Sequence, residues 1–299
     1  MKQLYYIGVS MRPGQWTKNL VVFAALIFSR SFENAELVLR SVEAFLVFCL
    51  LSGAIYLVND IVDMEKDRLH ERKRLRPLPA GDLSRSVAMV AAAAIAAVAV
   101  AWATRIGTEF TIVACAFLSL NLLYSFVLKR VVLLDAMSIS VSFIMRAIGG
   151  VEALVPIEPS IQISPWLLIC TLFLSLFLAF CKRRHELLSL EGELAANHRE
   201  SLSEYSPEFL DRLVGLTATG SVISYSIYTI WPDTVAKFGS HSLVYTVPLV
   251  VLGVMRYLHL VYTHEKGGNP SELLLHERFL LTVVLAWIVL VVVILGDFL

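Results

Sequence analysis

The chain has 299 residues, of which 57% are hydrophobic and 17% charged, and 25 basic residues cancel 25 acidic ones. A soluble protein carries roughly 25% charged residues, so this composition and a mean hydropathy of +0.72 exclude an ordinary soluble domain. The apolar runs are continuous rather than alternating, which excludes a membrane β-barrel and leaves an all-α, polytopic membrane protein.

About nine apolar runs are long enough to cross a bilayer as helices. They lie near 17–32, 40–58, 84–104, 108–128, 132–152, 164–181, 208–230, 241–262 and 279–297, in one integral membrane domain over 1–299. The chain opens without a small-residue cleavage site, so the first run reads as a retained helix. In RPGQWTKN, residues 12–19, Trp16 reads as an interfacial anchor. Lys18 reads as either a snorkelling flank residue or a ligand.

The second run ends in NDIVDMEKDRLHERKRLRPLPAG, residues 59–81. Asn59, Asp63 and Asp67 are spaced i, i+4, i+8, which on a helix makes one stripe, with Asp60 beside it and Tyr56 one turn deeper. Carboxylates in that pattern can hold Mg²⁺ that takes diphosphate oxygens as its remaining ligands. Arg72, Lys73, Arg74 and Arg76 follow, before Pro77 and Pro79 stiffen the exit. Beside an acidic stripe they read as a phosphate clamp, Lys73 and Arg76 first, rather than as a topogenic loop on anionic lipid.

Residues 88–101 are rich in Ala and Val, which predicts close helix packing. The fifth run carries Asp135 and Arg146, with Lys129 at its near end. Ionisable groups inside a span are functional candidates by default. Eleven residues place the two on one face but about 16 Å apart, too far for a direct pair, so Arg146 reads as lining a cavity. The sixth run closes with KRRHEL, residues 182–187, where Lys182 and Glu186 are i, i+4 partners. It reads either as a basic stop or as a second phosphate site facing the first. Near the end of the eighth run, Arg256 and Tyr257 precede GGNP, with Ser271 and Glu272 placed as a helix start. His259, His264 and His276 have no convincing ligand spacing. Cys49, Cys115, Cys170 and Cys181 are dispersed and read as lipid-buried or core thiols. No nucleophile triad, P-loop or Rossmann fingerprint is present.

With the N-terminus in the cytoplasm, cations on inner segments outnumber the outer ones (Arg30, Arg40, Arg105, Lys237) by about five to one. All the long connections (59–83, 182–207, 263–278) then fall inside. Chemistry is expected at the cytoplasmic face of the inner membrane.

NDxxDxxxD after the second span resembles the UbiA superfamily of intramembrane prenyltransferases, over nearly the whole chain. The pieces RPGQWTKN, NDIVDMEKDRLHERKRLRP, YSFVLK, MRAIGG, KRRHEL, MRYLHL and GGNPSELLL are similar to its decaprenyl-phosphate phosphoribosyltransferase branch. Two departures stand out. The second aspartate-rich motif of ordinary members is replaced by the basic KRRHEL, and His70-Glu71 stands where the branch has His-Pro.

The resemblance implies a UbiA-like bundle with a cytoplasm-facing cavity. It implies transfer of 5-phosphoribose from phosphoribosyl pyrophosphate to a polyprenyl phosphate, with release of pyrophosphate. Asn59, Asp63 and Asp67 would hold Mg²⁺, and Asp63, Asp67 and Arg146 would be catalytic. Lys18, Tyr56, Lys73, Arg76, Lys129 and Arg146 would hold the donor, and Lys182, Arg183 and Arg184 the acceptor phosphate. Whether Asp60 and Asp135 are ligands or structural is left open. The implied partners are the two substrates and the membrane, with no nucleic acid; a homo-oligomer is left open.

The alternative reading is prenyl transfer from a prenyl diphosphate to an aromatic acceptor, which a second acidic motif among Glu186, Glu191 and Glu193 would favour. A transporter or lipid-binding protein would need charge at mid-membrane, whereas here charge gathers at the helix ends.

Overall fold

The computed structural model describes residues 2–29, 31, 33–69, 73–162, 164–189, 200–263, 273 and 276–295. The described residues form helices and no strand. Eight helices are long and apolar enough to cross a membrane: Ala35–Val62, Arg85–Ile106, Thr108–Phe126, Leu134–Leu154, Pro165–Leu188, Pro207–Ile230, Ser242–Thr263 and Arg278–Leu295. They coincide with the last eight expected runs. The protein is thus an integral membrane protein built of helices.

In chain order the α-helices are α1 (Lys2–Ser10), α2 (Ala24–Phe28), α3 (Ala35–Val62), α4 (Met64–Arg68), α5 (Pro77–Ala80), α6 (Arg85–Ile106), α7 (Thr108–Phe126) and α8 (Leu134–Leu154). After them come α9 (Pro165–Leu188), α10 (Pro207–Ile230), α11 (Pro232–Phe238), α12 (Val247–Thr263) and α13 (Arg278–Leu295). Their starts follow local chemistry. The Asn34 side chain caps α3 by accepting from the Glu36 and Leu37 amides at 3.0 and 3.4 Å. Ser84 and Ser206 cap α6 and α10 in the same way. Proline stands at the first turn of α9, α10 and α11, where its missing N–H costs nothing.

The expected first span, 17–32, is wound differently. A 3₁₀ helix runs over Pro13–Phe23 and passes into the five-residue α2. Three residues per turn put Trp16, Asn19 and Val22 on one edge. Asn19 and Val22 are buried there. An α-helix would have let those positions drift by about 60° at each step.

The contacts group into two compact units, residues 1–138 with 145–162, and residues 139–144 with 163–299. In the first, α3 is the central element, packed on α6, α7 and the 3₁₀ helix. Ala88, Ala92, Ala99 and Ala103 of α6 are buried, as the small-residue run predicts. Phe48 meets the edges of Phe110 and Phe117, with centroids 5.8 and 5.1 Å away. At the other end of α3 lies a smaller core of Leu57, Leu78, Leu83, Ala88 and Ala92, covered by Tyr6, Ile7 and Met11. That core seats α1 and α5 on the end of α3. In the second unit α9 pairs with α10, and α12 with α13. Buried Tyr225 ties α10 to α13 and to the turn before α12: its hydroxyl lies 2.6 Å from Thr246 Oγ1 and accepts from Trp287 Nε1 at 2.9 Å.

Two glycines of MRAIGG set how close the first-unit elements come. A Cβ on Gly149 would stand 2.6 Å from the Phe48 ring, and one on Gly150 would fall on the Val22 carbonyl oxygen. Gly150→Ala is therefore expected to destabilise the protein by about 1–3 kcal/mol. Gly14→Ala, whose Cβ meets nothing within 4 Å, should leave it unchanged. Thermal unfolding of the two variants in detergent checks this pair.

Candidate active site

The acidic motif sits where α3 ends. Asp63 terminates α3 at φ −94°, ψ 5°, and α4 restarts at Met64. The single helix expected across the motif is therefore bent at Asp63. The i to i+4 ladder survives the bend, because the Asp63 amide donates to Asn59 O at 2.9 Å and the Asp67 amide to Asp63 O at 2.8 Å. Asn59, Asp63 and Asp67 thus keep their register. Asp60 and Asp67 are buried, whereas the Asp63 side chain is 35% exposed.

Each carboxylate is matched by cations from elsewhere in the first unit. Arg76 spans two of them, reaching Asp67 Oδ2 at 2.5 Å and Asp60 Oδ1 at 3.3 Å. Lys73 Nζ lies 3.9 Å from Asp67, and Lys129 Nζ 2.6 Å from Asp63. Arg12 donates to Asp60 Oδ1, and its guanidinium lies 4.8 Å from the centre of the Tyr56 ring. Arg76 is placed by its own neighbours: Pro77 begins α5 directly after it, and Gly81 closes that helix at φ +86°. Arg72 lies outside the described residues.

Arg12 was not singled out in the sequence. It stands in the left-handed region at φ 52°, between α1 and Pro13. A non-glycine residue there signals a backbone held by its surroundings, here by Asp60 and Tyr56. The available signal was an arginine directly before the proline that starts a membrane segment.

Arg146 is buried, and its Nε donates to Asn19 Oδ1 at 2.6 Å. Asn19 is held in turn by Ser52 Oγ at 3.4 Å and by donating to Cys49 Sγ at 3.2 Å. The guanidinium stacks over Phe117, 4.6 Å from the ring centre. Lys18, half-buried, adjoins Asn19 on the 3₁₀ helix. Asn19 is a second residue that sequence reasoning missed, because a lone asparagine in an apolar run carries no signal of its partner. Asp135 is buried near the start of the same helix α8, so helix geometry keeps it about 16 Å from Arg146.

KRRHEL belongs to the second unit. Lys182 and Arg183 both turn to Glu186, at 3.8 and 2.5 Å, and Arg183 is fully buried. Arg184 Nε instead donates to Asp211 Oδ1 at 2.6 Å, and its guanidinium lies 4.2 Å from the Tyr262 ring centre. Arg256 donates to Glu277 at 2.7 Å, and that bond holds the Glu277 carboxyl below the usual carboxylate range. Glu191, Glu193, Ser271, Glu272 and His264 lie outside the described residues.

Among the described residues no three His, Cys, Asp or Glu side chains form a ready-made metal cage. The acidic motif still fits a magnesium ion that arrives with phosphates. Such an ion takes only one or two carboxylates and keeps waters or phosphate oxygens for the rest. The buried Asp60 Oδ2 has no hydrogen-bond partner, and a carboxylate oxygen in that state is open to a metal ion or a water. Arg12, Lys73, Arg76 and Lys129 set four cations against the three carboxylates of Asp60, Asp63 and Asp67. Were a metal to take the carboxylates, those cations would be free to meet phosphate oxygens.

The family model described as the UbiA prenyltransferase family matches residues 20–283. The chain is 33% identical over 293 residues to the decaprenyl-phosphate phosphoribosyltransferase of Mycolicibacterium smegmatis, covering 93% of this chain and 89% of that one. It is also 33% identical to the protein of the same name from Corynebacterium glutamicum, covering 95% of this chain and 84% of that one. A solved UbiA homolog from Archaeoglobus fulgidus, bound to GPP and Mg²⁺, shares the fold at a TM-score of 0.72. The two are 15% identical over 97% of this chain and 99% of that one.

Arg12→Ala leaves Asp60 with Arg76 alone, and is expected to cost about 1–3 kcal/mol of stability. Combining it with Asp60→Asn should cost less than the sum of the two, because both changes remove the same bond. Denaturant unfolding of the three variants in detergent measures the coupling.

Proposed function

The chain belongs to the UbiA prenyltransferase family, and from that premise we propose that it transfers 5-phosphoribose from phosphoribosyl pyrophosphate to a polyprenyl phosphate of the decaprenyl type, releasing pyrophosphate. The observation that carries this reading is the pair of relatives of that name, each a third identical over more than nine tenths of the chain. The site chemistry supports it. Both substrates are phosphorylated, and the motif's carboxylates are outnumbered by the cations around them.

In this reading the donor is held by the first unit. Asn59, Asp63 and Asp67 would hold magnesium at the donor's pyrophosphate, and Asp60 Oδ2 would be a further oxygen donor. Magnesium, when bound, supplies positive charge to the leaving pyrophosphate. Lys18, Tyr56, Lys73, Arg76, Lys129 and Arg146 bind the donor's phosphates and ribose. Arg146 is held in orientation because Asn19 and Phe117 meet it from two directions. A phosphate oxygen of the acceptor attacks the anomeric carbon as the bond to pyrophosphate breaks, with inversion. The acceptor is already an anion at neutral pH, so no strong general base is needed. The dominant contribution is electrostatic: fixed cations stabilise charge that develops on the leaving group. The acceptor phosphate is bound at the basic end of α9, where Lys182 and Arg184 are partly exposed and Arg183 is buried behind them. The whole chain acts as one membrane domain, with its N-terminus and chemistry on the cytoplasmic side of the inner membrane, as the distribution of lysine and arginine argues.

The second reading, prenyl transfer from a prenyl diphosphate to an aromatic acceptor, takes its support from the Archaeoglobus structure bound to GPP and Mg²⁺. Incubating purified protein with magnesium, labelled phosphoribosyl pyrophosphate and a polyprenyl phosphate separates the two. Label in the organic phase is expected, and its loss on chelation would mark the metal requirement. Absence of label over several chain lengths, from a folded sample, would favour the prenyl diphosphate. In the active protein Asp63→Asn is expected to lower kcat/KM by roughly a hundredfold or more, while near-normal turnover would remove Asp63 from the metal site.

A further inference from the structure

Three membrane helices of the second unit meet at one carboxylate. Asp211, at the start of the second turn of α10, accepts two bonds on the same oxygen, from Arg184 Nε of α9 at 2.6 Å and from the Tyr262 hydroxyl of α12 at 3.0 Å. The Tyr262 ring also lies under the guanidinium, 4.2 Å away. One edge and one face of Arg184 are thus fixed. Its two terminal amino groups donate no hydrogen bond to any described residue. They form the forked edge that matches two phosphate oxygens at once.

The neighbouring cations are placed differently. Lys182 and Arg183 share Glu186, and Arg183 has no exposed surface to offer. One turn along α10 from Asp211, on the same face, stands Gly215, where an added Cβ would meet nothing within 4 Å. Glycine inside a helix is unfavourable, and no close neighbour requires it here. It leaves the surface of α10 without a side chain one turn beyond Asp211.

We propose that Arg184 grips the phosphate of the lipid acceptor, that Asp211 and Tyr262 are positioning residues that aim its guanidinium, and that the first isoprene units lie over Gly215. This rests on the polyprenyl-phosphate reading above, and names which cation of the basic segment does the binding. Ordering a long arginine side chain before the ligand arrives removes that entropic cost from binding. The node selects for a phosphate monoester with a branched apolar tail.

The test reads binding directly, without turnover. Wild type, Arg184→Lys, Asp211→Asn, Asp211→Glu, Tyr262→Phe and Gly215→Leu are titrated in detergent with a fluorescent polyprenyl phosphate, and with the matching alcohol as control. Arg184→Lys and Asp211→Asn are expected to weaken binding of the phosphate roughly tenfold or more. Tyr262→Phe should weaken it less, and Asp211→Glu should restore part of the loss. Binding of the alcohol and the KM for phosphoribosyl pyrophosphate should hold. Gly215→Leu fills space that is empty, so it should fold normally and weaken a long-chain phosphate more than a short-chain one. If Arg184→Lys and Asp211→Asn lower only the melting temperature and bind the phosphate like wild type, the node is a helix tie and the proposal falls. Arginine-dependent binding in a wild type that transfers no label would keep the clamp and overturn the phosphoribosyl reading instead.

Discussion

A carboxylate buried at the end of a membrane helix must be matched by positive charge, and Asp60 is matched twice. Desolvating an unpaired ion costs several kcal/mol, on the order of a whole domain's net stability. The chain therefore brings Arg12 from one side and Arg76 from the other. Much of the first unit follows from that need. The small core of Leu57, Leu78 and Leu83 docks α1 and α5 on α3, and each of those helices delivers one of the two arginines. The left-handed turn at Arg12 and the proline-started, glycine-closed α5 are the local devices that aim them. A site assembled in this way holds its carboxylates and its cations in mutual custody. If the proposed donor binds here, its binding would be an exchange of partners, in which little charge has to be stripped of its match.

The spanning helices were legible in the sequence because a run of roughly twenty apolar residues has few other uses. The acidic stripe and its following cations were legible because their spacing is local. Pairing across the chain was not. Arg12 and Asp60 are 48 positions apart, and Asn19 and Arg146 are 127. No periodicity in either segment announces the other. The bend at Asp63 was hidden for a different reason, since the residues on both sides of it favour helix. In the basic segment after the sixth run the three cations look alike on paper. Only packing separates Arg183, sealed against Glu186, from Arg184, propped on Asp211 and Tyr262.

The two units use arginine in the same manner. Arg146 and Arg184 each give Nε to a side-chain oxygen and lay the guanidinium on an aromatic ring. Such an arrangement restrains the long side chain and fixes the plane of its guanidinium. The supporting residues differ in polarity, with the neutral Asn19 behind Arg146 and the anionic Asp211 behind Arg184. The first arginine is therefore propped by a neutral amide, while the second is already paired with a carboxylate.

The winding of the 3₁₀ helix also limits how this region can change. Each residue there turns the chain by about 120°, so removing one swings everything beyond it by a third of a revolution. Asn19 would leave Arg146 and Val22 would leave Gly150 together, whichever residue had been deleted before them. Side-chain replacements at outward positions disturb neither contact. The segment Pro13–Phe23 is therefore bound by its length more tightly than by its composition. It can drift in spelling, but single insertions and deletions ahead of Asn19 break two anchors at once.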